Sequence, residues 1–198
     1  MSSPSITPAT LESQWKLPSR GHVGILCLIA AETAIFVIFV VAYLFYIGKS
    51  LSGPTPRDVL EIPVLATICL LSSSITIHLA LSAVRRDRMD VFRLWWFATF
   101  VLGAIFLVGT GIEWHRLIFE KGLTISTNLF GTTYYSLVGL HASHVTVGLI
   151  LLLTVSVFAF MGKVQAAHEP RLDVIAYYWH FVDAVWVVVF TVVYVVGR

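Results

Sequence analysis

Charged side chains are scarce in this sequence: Asp, Glu, Lys and Arg together make up 12% of its 198 residues. The formal net charge is only +2, which is too small to predict a nucleic-acid-binding surface. Cysteine is rarer still, since Cys27 and Cys69 are the only two and lie in separate apolar segments without a CxxC spacing. Isolated cysteines of this kind are typical of small buried apolar side chains. The sequence therefore predicts neither a nucleic-acid partner nor a disulfide or metal site at its cysteines.

Long hydrophobic runs fill most of the chain. Hydrophobic residues make up 58% of the sequence, and the mean hydropathy is +0.86. Five runs each exceed the ~30 Å hydrocarbon thickness of a bilayer at a helical rise of about 1.5 Å per residue. They lack the polar/apolar alternation of barrel strands, so backbone hydrogen bonding in lipid requires helices. The predicted fold is an all-α integral membrane protein, a bundle of five transmembrane helices at about residues 22–47, 59–84, 91–112, 132–161 and 173–197.

Short connections predict a single five-helix membrane domain over residues 21–198, preceded by a polar N-terminal tail over residues 1–20. The tail has no cleavage pattern of small residues in the right place, so we expect the first span to remain in the protein. Basic residues between Arg85 and Arg93 give the strongest orientation signal. By the positive-inside rule, the N-terminus is predicted to be cytoplasmic and the C-terminus outside.

Ionisable side chains inside the spans are the most informative residues, because one at the bilayer centre costs about 2.5–3.5 kcal/mol. Glu32 lies about 15 Å into the first span by helical rise. His141 and His144 in the fourth span, and Asp183 in the fifth, reach nearly the same depth, with His180 one turn from Asp183. We therefore expect a buried polar belt built from the first, fourth and fifth helices.

Three interpretations of this belt follow from the residues alone. Histidines could bind haem or a metal, but bis-histidine haem binding needs facing histidines at matched depth on two helices. His78, near one end of the second span, and His180 do not complete such a set. The belt could instead be a proton relay, or a set of interhelical hydrogen bonds that fixes packing. Residue chemistry leaves the last two interpretations open.

Three separated motifs resemble those of the haem–copper oxidase subunit III family. The AETAIF stretch at residues 31–36 resembles the family's first conserved helix, which carries a buried glutamate. The FGTTYY and GLHASHVTVGLI stretches at 130–135 and 139–150 are similar to its histidine signature, and YWHFVDAVW at 178–186 to its final motif. Glu113 and the tryptophan after it fit the family's pattern at the end of the intervening helix. The motifs occur in the family's order over nearly the whole chain.

The resemblance implies a non-redox accessory subunit of a respiratory haem–copper terminal oxidase, with catalysis in other subunits. Haem and copper are expected in those partner subunits and not in this chain. Bound phospholipid is expected to be possible in this chain. The expected partners are the large catalytic subunit (subunit I), the other oxidase subunits and membrane lipids. The implied roles are stability, lipid binding and proton uptake during aerobic electron transport. By motif, Glu32 is the buried carboxylate, His144 or His141 its partner, and His180 with Asp183 part of the same core; Glu113, Trp179 and Trp186 are further motif residues.

Mitochondrial and many bacterial members of this family have seven helices, and the five-span pattern here lacks the two N-terminal ones. This favours the five-helix bacterial type, and hence a multi-pass protein of the bacterial plasma membrane. The complex is predicted to be a cytochrome c oxidase, a proton-pumping oxidoreductase, in which this chain itself is non-catalytic. A quinol oxidase, a nitric-oxide reductase with a similar accessory subunit, and a free-standing membrane carrier are the alternatives. The absence of an inverted repeat weakens the carrier interpretation.

Overall fold

A computed structural model describes residues 20–50 and 53–197, so nearly all of the predicted polar tail lies outside the described residues. Every regular element in this part of the chain is helical. The helices are α1 (Arg20–Tyr46), a short α2 (Pro56–Val59), α3 (Val64–Arg85), α4 (Met89–Phe119), α5 (Leu129–Phe160) and α6 (Glu169–Phe190). A 3₁₀ turn (Ala166–His168) precedes α6 and a π-helical turn (Thr191–Val196) continues it.

Five of these elements are long and apolar enough to cross a membrane: α1, α3, α4, α5 and the segment Ala166–Val196 that contains α6. The predicted all-helical architecture with five spans is confirmed. The second span begins at Val64 and not near residue 59, because the short α2 ends at Val59 and Pro63 occupies the N-cap position of α3. The third span ends at Phe119 and not near residue 112, which places Glu113 inside α4.

The helices pack in an order that differs from their order in the chain. The α3 and α4 helices form a closely packed hairpin, α4 packs against α5, and α5 packs against α6. The α6 helix also packs against α3, while α1 packs against α5 and α6. As a result α6 is the most buried span, and α1 keeps most of its apolar surface exposed. Contacts between elements far apart in the chain thus create the sites described below.

Trp179 of α6 is the central packing residue and has no exposed surface. Its ring lies against two glycines, Gly103 of α4 and Gly148 of α5. A Cβ atom at Gly103 would lie 2.6 Å from the ring, and one at Gly148 would lie 2.7 Å from it. The indole Nε1 donates a hydrogen bond of 2.8 Å to the Ser73 hydroxyl of α3. Small residues thus let three helices close around one large side chain, as membrane bundles require.

Polar contacts fix both ends of the bundle. At one end, Asn128 caps α5 by accepting a 2.8 Å hydrogen bond from the Gly131 amide, and its side-chain amide donates to the carbonyl of Pro54. At the other end, Arg85 donates to Glu169 at 2.7 Å and to Asp173 at 3.2 Å. The second end also carries the loop between α3 and α4 with its arginines, and we call it the basic end.

Candidate functional site

Glu32 and His144 meet between α1 and α5. The Nε2 atom of His144 lies 3.0 Å from Oε2 of Glu32. The side chains of Glu32 and His144 are only 23% and 13% exposed. The ring of Phe36 covers the imidazole at a centroid distance of 5.0 Å. Two ionisable groups from distant parts of the chain therefore form one largely buried pair.

The second ring nitrogen of His144 determines how many protons this pair holds. Nδ1 lies 2.8 Å from the carbonyl oxygen of Leu140, which can only accept, so Nδ1 carries a hydrogen. One further proton must then lie between Nε2 and Oε2, because two lone pairs cannot face each other. The pair is either imidazolium and carboxylate or neutral imidazole and carboxylic acid, and its total charge is zero in both forms. It can therefore bridge two helices and also pass a proton.

A surface cavity of about 230 Å³ opens beside this pair. Its lining includes Glu32 and His144 themselves, together with Ser143 and Tyr178. The Tyr178 hydroxyl donates to the carbonyl of His144 at 3.2 Å, which ties α6 to the same turn of α5. The shared proton is thus close to a space that a water molecule or a polar group of a partner can enter.

Asp183 and His180 form a second group, with Ser74 of α3 between them. The Ser74 hydroxyl donates to Oδ2 of Asp183 and lies 3.0 Å from Nδ1 of His180. Because its only hydrogen points to the aspartate, Ser74 accepts from a protonated Nδ1. Asp183 is 3% exposed, and its Oδ1 has no hydrogen-bond partner among the described residues. This group connects α6 to α3, whereas the expected belt would connect α6 to α5.

His141 belongs to neither group. It is fully buried, and its ring stacks on Trp186 at 5.0 Å and meets the edge of Phe106 at 5.8 Å. Neither ring nitrogen has a hydrogen-bond partner in the described part of the chain. The structure therefore divides the five residues of the expected belt: Glu32 lies with His144, Asp183 with His180, and His141 apart among aromatic rings.

The remaining motif residues, Glu113 on α4 and Trp179 and Trp186 on α6, also bind polar groups. Glu113 of α4 accepts the hydroxyl of Tyr194 at 3.1 and 3.2 Å to its two oxygens. Near it, Arg116 pairs with Glu61 at 2.8 Å. The indole of Trp186 donates to the Thr67 hydroxyl at 3.2 Å. In these contacts, as for Trp179, a motif side chain finds its partner on a neighbouring helix.

The sequence reasoning missed the hydroxyl groups of α3. Ser73 holds Trp179, Ser74 joins His180 to Asp183, and Thr67 holds Trp186. A signal was present, because residues 72–74 are three consecutive serines inside an apolar span. Hydroxyl groups in membrane helices commonly bond across to neighbouring helices. The ionisable side chains that predict the belt lie on α1, α5 and α6, so α3 has no part in the expected belt.

In the part of the chain that the structure describes, no group of three or more His, Cys, Asp or Glu side chains is placed to hold a metal ion. The site is instead a set of hydrogen-bonded acid and imidazole groups. Such groups can fix helix packing and can bind or release protons.

Comparison with known proteins accounts for this arrangement of motifs. A profile of the family described as cytochrome c oxidase subunit III matches residues 19–198. The chain belongs to the cytochrome c oxidase subunit III family. It is 34% identical to cytochrome c oxidase subunit 3 of Alkalihalophilus pseudofirmus, over 96% of this chain and 90% of that protein. It is 34% identical to the same subunit of Bacillus sp. strain PS3 (96% and 89% covered) and 36% identical to that of Synechocystis (95% and 81%).

The subunit III motifs coincide with the contacts described above. The AETAIF motif supplies Glu32, and the histidine signature supplies His144, so these two motifs meet at one hydrogen bond. The final motif supplies Trp179, His180 and Asp183, and all three contact the serines of α3 directly. The motifs are far apart in the sequence, but in the fold their side chains form hydrogen bonds that connect neighbouring helices.

Proposed function

We propose that this chain is the accessory, non-redox subunit III of a bacterial cytochrome c oxidase, packed against the large catalytic subunit I. It stabilises that subunit and supports its lipid binding and proton uptake, while oxygen chemistry takes place on haem and copper in the partners. The observation that carries the proposal is the Glu32–His144 pair. It is a largely buried, net-neutral pair with one shared proton, placed beside a cavity that reaches the surface.

The same proposal places the basic end on the cytoplasmic side of the bacterial plasma membrane. Contacts of His22 and Arg85 with Asp173 bring the start of α1, the end of α3 and the start of α6 to this end. Arginines 85, 86, 88 and 93 lie in or beside the loop there. Because cytoplasmic loops carry an excess of Lys and Arg, the N-terminus lies inside and the C-terminus outside.

Lipid binding is supported by a groove of about 400 Å³ between α3 and α4 at the opposite end. Apolar side chains such as Leu65, Ile105 and Ile112 line it, and Glu61 and Arg116 lie at its polar end. An acyl chain fits the apolar wall, and the paired charges lie where a headgroup is expected.

Subunit I is proposed to pack on α1 and α3. Val37, Ile38, Val41 and Phe45 form one exposed apolar face of α1, with Ile38 67% exposed. A photo-crosslinking residue at Ile38 is expected to give an adduct with subunit I in native membranes. The matched control is Val108, which is equally apolar and 62% exposed on α4. Crosslinks to subunit I from Val108 and none from Ile38 would contradict this docking face.

Purification in mild detergent tests the function. A tagged chain is expected to bring down larger subunits that show haem absorption, in a complex that oxidises cytochrome c. Quinol oxidation in place of cytochrome c oxidation would assign the chain to a quinol oxidase, and a copurifying nitric-oxide reductase would assign it there. A chain that purifies alone and transports a solute would refute the oxidase proposal.

The separated subunit supplies the second measurement. After dissociation from the complex, its optical spectrum and metal content are expected to show no stoichiometric haem or copper. Haem b that stays bound, and is lost on replacement of His141 or His180, would overturn the non-redox role.

A further inference from the structure

A second cavity of about 230 Å³ lies at the basic end, between α3 and α6. Polar and ionisable side chains make up most of its wall: His78, Arg85, Asp173, Tyr177 and His180, with Leu81 and Ala176. Arg85 is paired with Glu169 and Asp173, so the positive charge at the entrance is already balanced. A polar cavity of this size holds several water molecules readily, because each finds hydrogen-bond partners on the walls.

The cavity ends at His180, which is connected to the buried Asp183 through Ser74. His180 lies on its wall two turns along α6 from Asp173, and Nδ1 of His180 is 3.0 Å from the Ser74 hydroxyl. Ser74 in turn donates to Oδ2 of Asp183. Asp183 is 3% exposed and its Oδ1 lacks a partner among the described residues. An unbroken series of groups that can donate and accept protons thus runs from the surface to a carboxyl group in the centre of the bundle.

We propose that this cavity is a water-filled inlet through which Asp183 takes up and releases a proton at the basic end. In uptake, water gives a proton to Nε2 of His180, and Nδ1 passes its own proton to the oxygen of Ser74. The serine hydrogen moves to Oδ2 of Asp183. Each step breaks one N–H or O–H bond and forms another, and the net result is one proton moved from water to the carboxylate.

The titratable and charged groups that face this path come from three helices: His22 from α1, His78 and Arg85 from α3, and Asp173, Tyr177 and His180 from α6. On α5, His144 is bonded to Glu32 and Leu140, and His141 stacks on Trp186, so neither is bonded to Asp183. The inlet is therefore separate from the Glu32–His144 pair. It goes beyond the proposed function and does not depend on which electron donor the complex uses.

Infrared spectroscopy of the assembled complex tests the path. A carboxyl stretch that is lost in Asp183→Asn identifies the aspartate, and its shift in deuterated buffer reports proton exchange. Ser74→Ala is expected to slow that exchange about tenfold, since one carrier is removed. Ser74→Thr keeps the hydroxyl and is expected to restore the rate. Ser72→Ala is the matched control, because Ser72 is similarly buried on the same helix and bonds only to the carbonyl of Cys69.

Two infrared results would overturn the proposal. One is the absence of any band assignable to Asp183 at every pH at which the complex is stable. The other is equal exchange in Ser74→Ala and Ser72→Ala. The Asp183 band itself guards against a folding artefact, because a misassembled Ser74→Ala complex would lose or shift this band, whereas an assembled one keeps it and only exchanges more slowly.

Cysteine accessibility tests the water independently. In a background without Cys27 and Cys69, Leu81→Cys places a thiol in the cavity wall, and Leu79→Cys places one on the exposed face of the same helix. Only a hydrated thiol ionises and reacts with a charged methanethiosulfonate reagent. Leu81→Cys is expected to react several-fold faster, although leucine at that position is 5% exposed and Leu79 is 37% exposed. A slower or equal reaction at position 81 would show that the cavity is dry.

Discussion

Replacing Gly148 with alanine is expected to destabilise the subunit by about 1–3 kcal/mol, the usual cost of overpacking a core. The added methyl group would lie 2.7 Å from two atoms of the Trp179 ring. The ring cannot move away easily, because Gly103 lies against its other side and its Nε1 is bonded to Ser73. The measurement is the thermal unfolding temperature of the detergent-purified complex, followed as loss of this subunit.

Gly111→Ala is the matched control for this substitution. Gly111 is in a membrane helix as well, but an added Cβ there would meet no atom within 4 Å. Since alanine is the better helix former, this control is expected to be neutral or slightly stabilising. Equal losses of stability in Gly148→Ala and Gly111→Ala would show that the packing around Trp179 is not responsible.

The spans and the motifs could be predicted because their signals are local. A run of apolar residues needs only its own length to identify it, and the AETAIF and YWHFVDAVW stretches can be recognised without knowledge of contacts. The ends of the helices have weaker local signals. Pro63 marks where α3 begins, and the turn at the end of α4 carries polar residues that a hydropathy window excludes.

The division of the polar belt could not be predicted, because it depends on which helices are neighbours. Depth arguments place Glu32, His144 and Asp183 at similar levels but give no information on the arrangement around the bundle. His141 and His144 differ by three residues, and thus by about 60° around the helix axis. That angle is enough for His144 to face α1 and for His141 to stack on Trp186 of α6.

The contribution of α3 to the polar groups also depends on which helices are neighbours. The α6 helix packs against α3 as well as against α5, its neighbour in the chain. Ser74 becomes the partner of His180 and Asp183 only through this contact. A serine inside an apolar span can have many roles, so the amino-acid sequence alone does not identify the residue to which Ser74 bonds. The tertiary arrangement of the helices supplies that information.

Glu32→Ala is expected to weaken assembly of the subunit, and Glu32→Gln to leave it largely intact. In the alanine variant, Nε2 of His144 loses its 3.0 Å partner, and a buried unsatisfied group costs about 1–3 kcal/mol. In the glutamine variant, the side-chain amide donates to Nε2 and replaces the shared proton. The measurement is the amount of this subunit that stays with the complex through detergent purification, compared with Thr33→Ala on the next position of α1.

Proton uptake separates the two interpretations that residue chemistry left open. Glutamine preserves the hydrogen bond but holds no exchangeable acid proton, so a relay through Glu32 would be lost in Glu32→Gln even though assembly is normal. If the pair only fixes packing, proton uptake by the assembled Glu32→Gln complex will match that of the unmodified one. Thr33 is the suitable reference because its hydroxyl bonds only to the Ile29 carbonyl of its own helix. Equal loss of assembly in Glu32→Gln and Glu32→Ala would mean that the ionisable carboxyl group itself is required to hold α1 against α5.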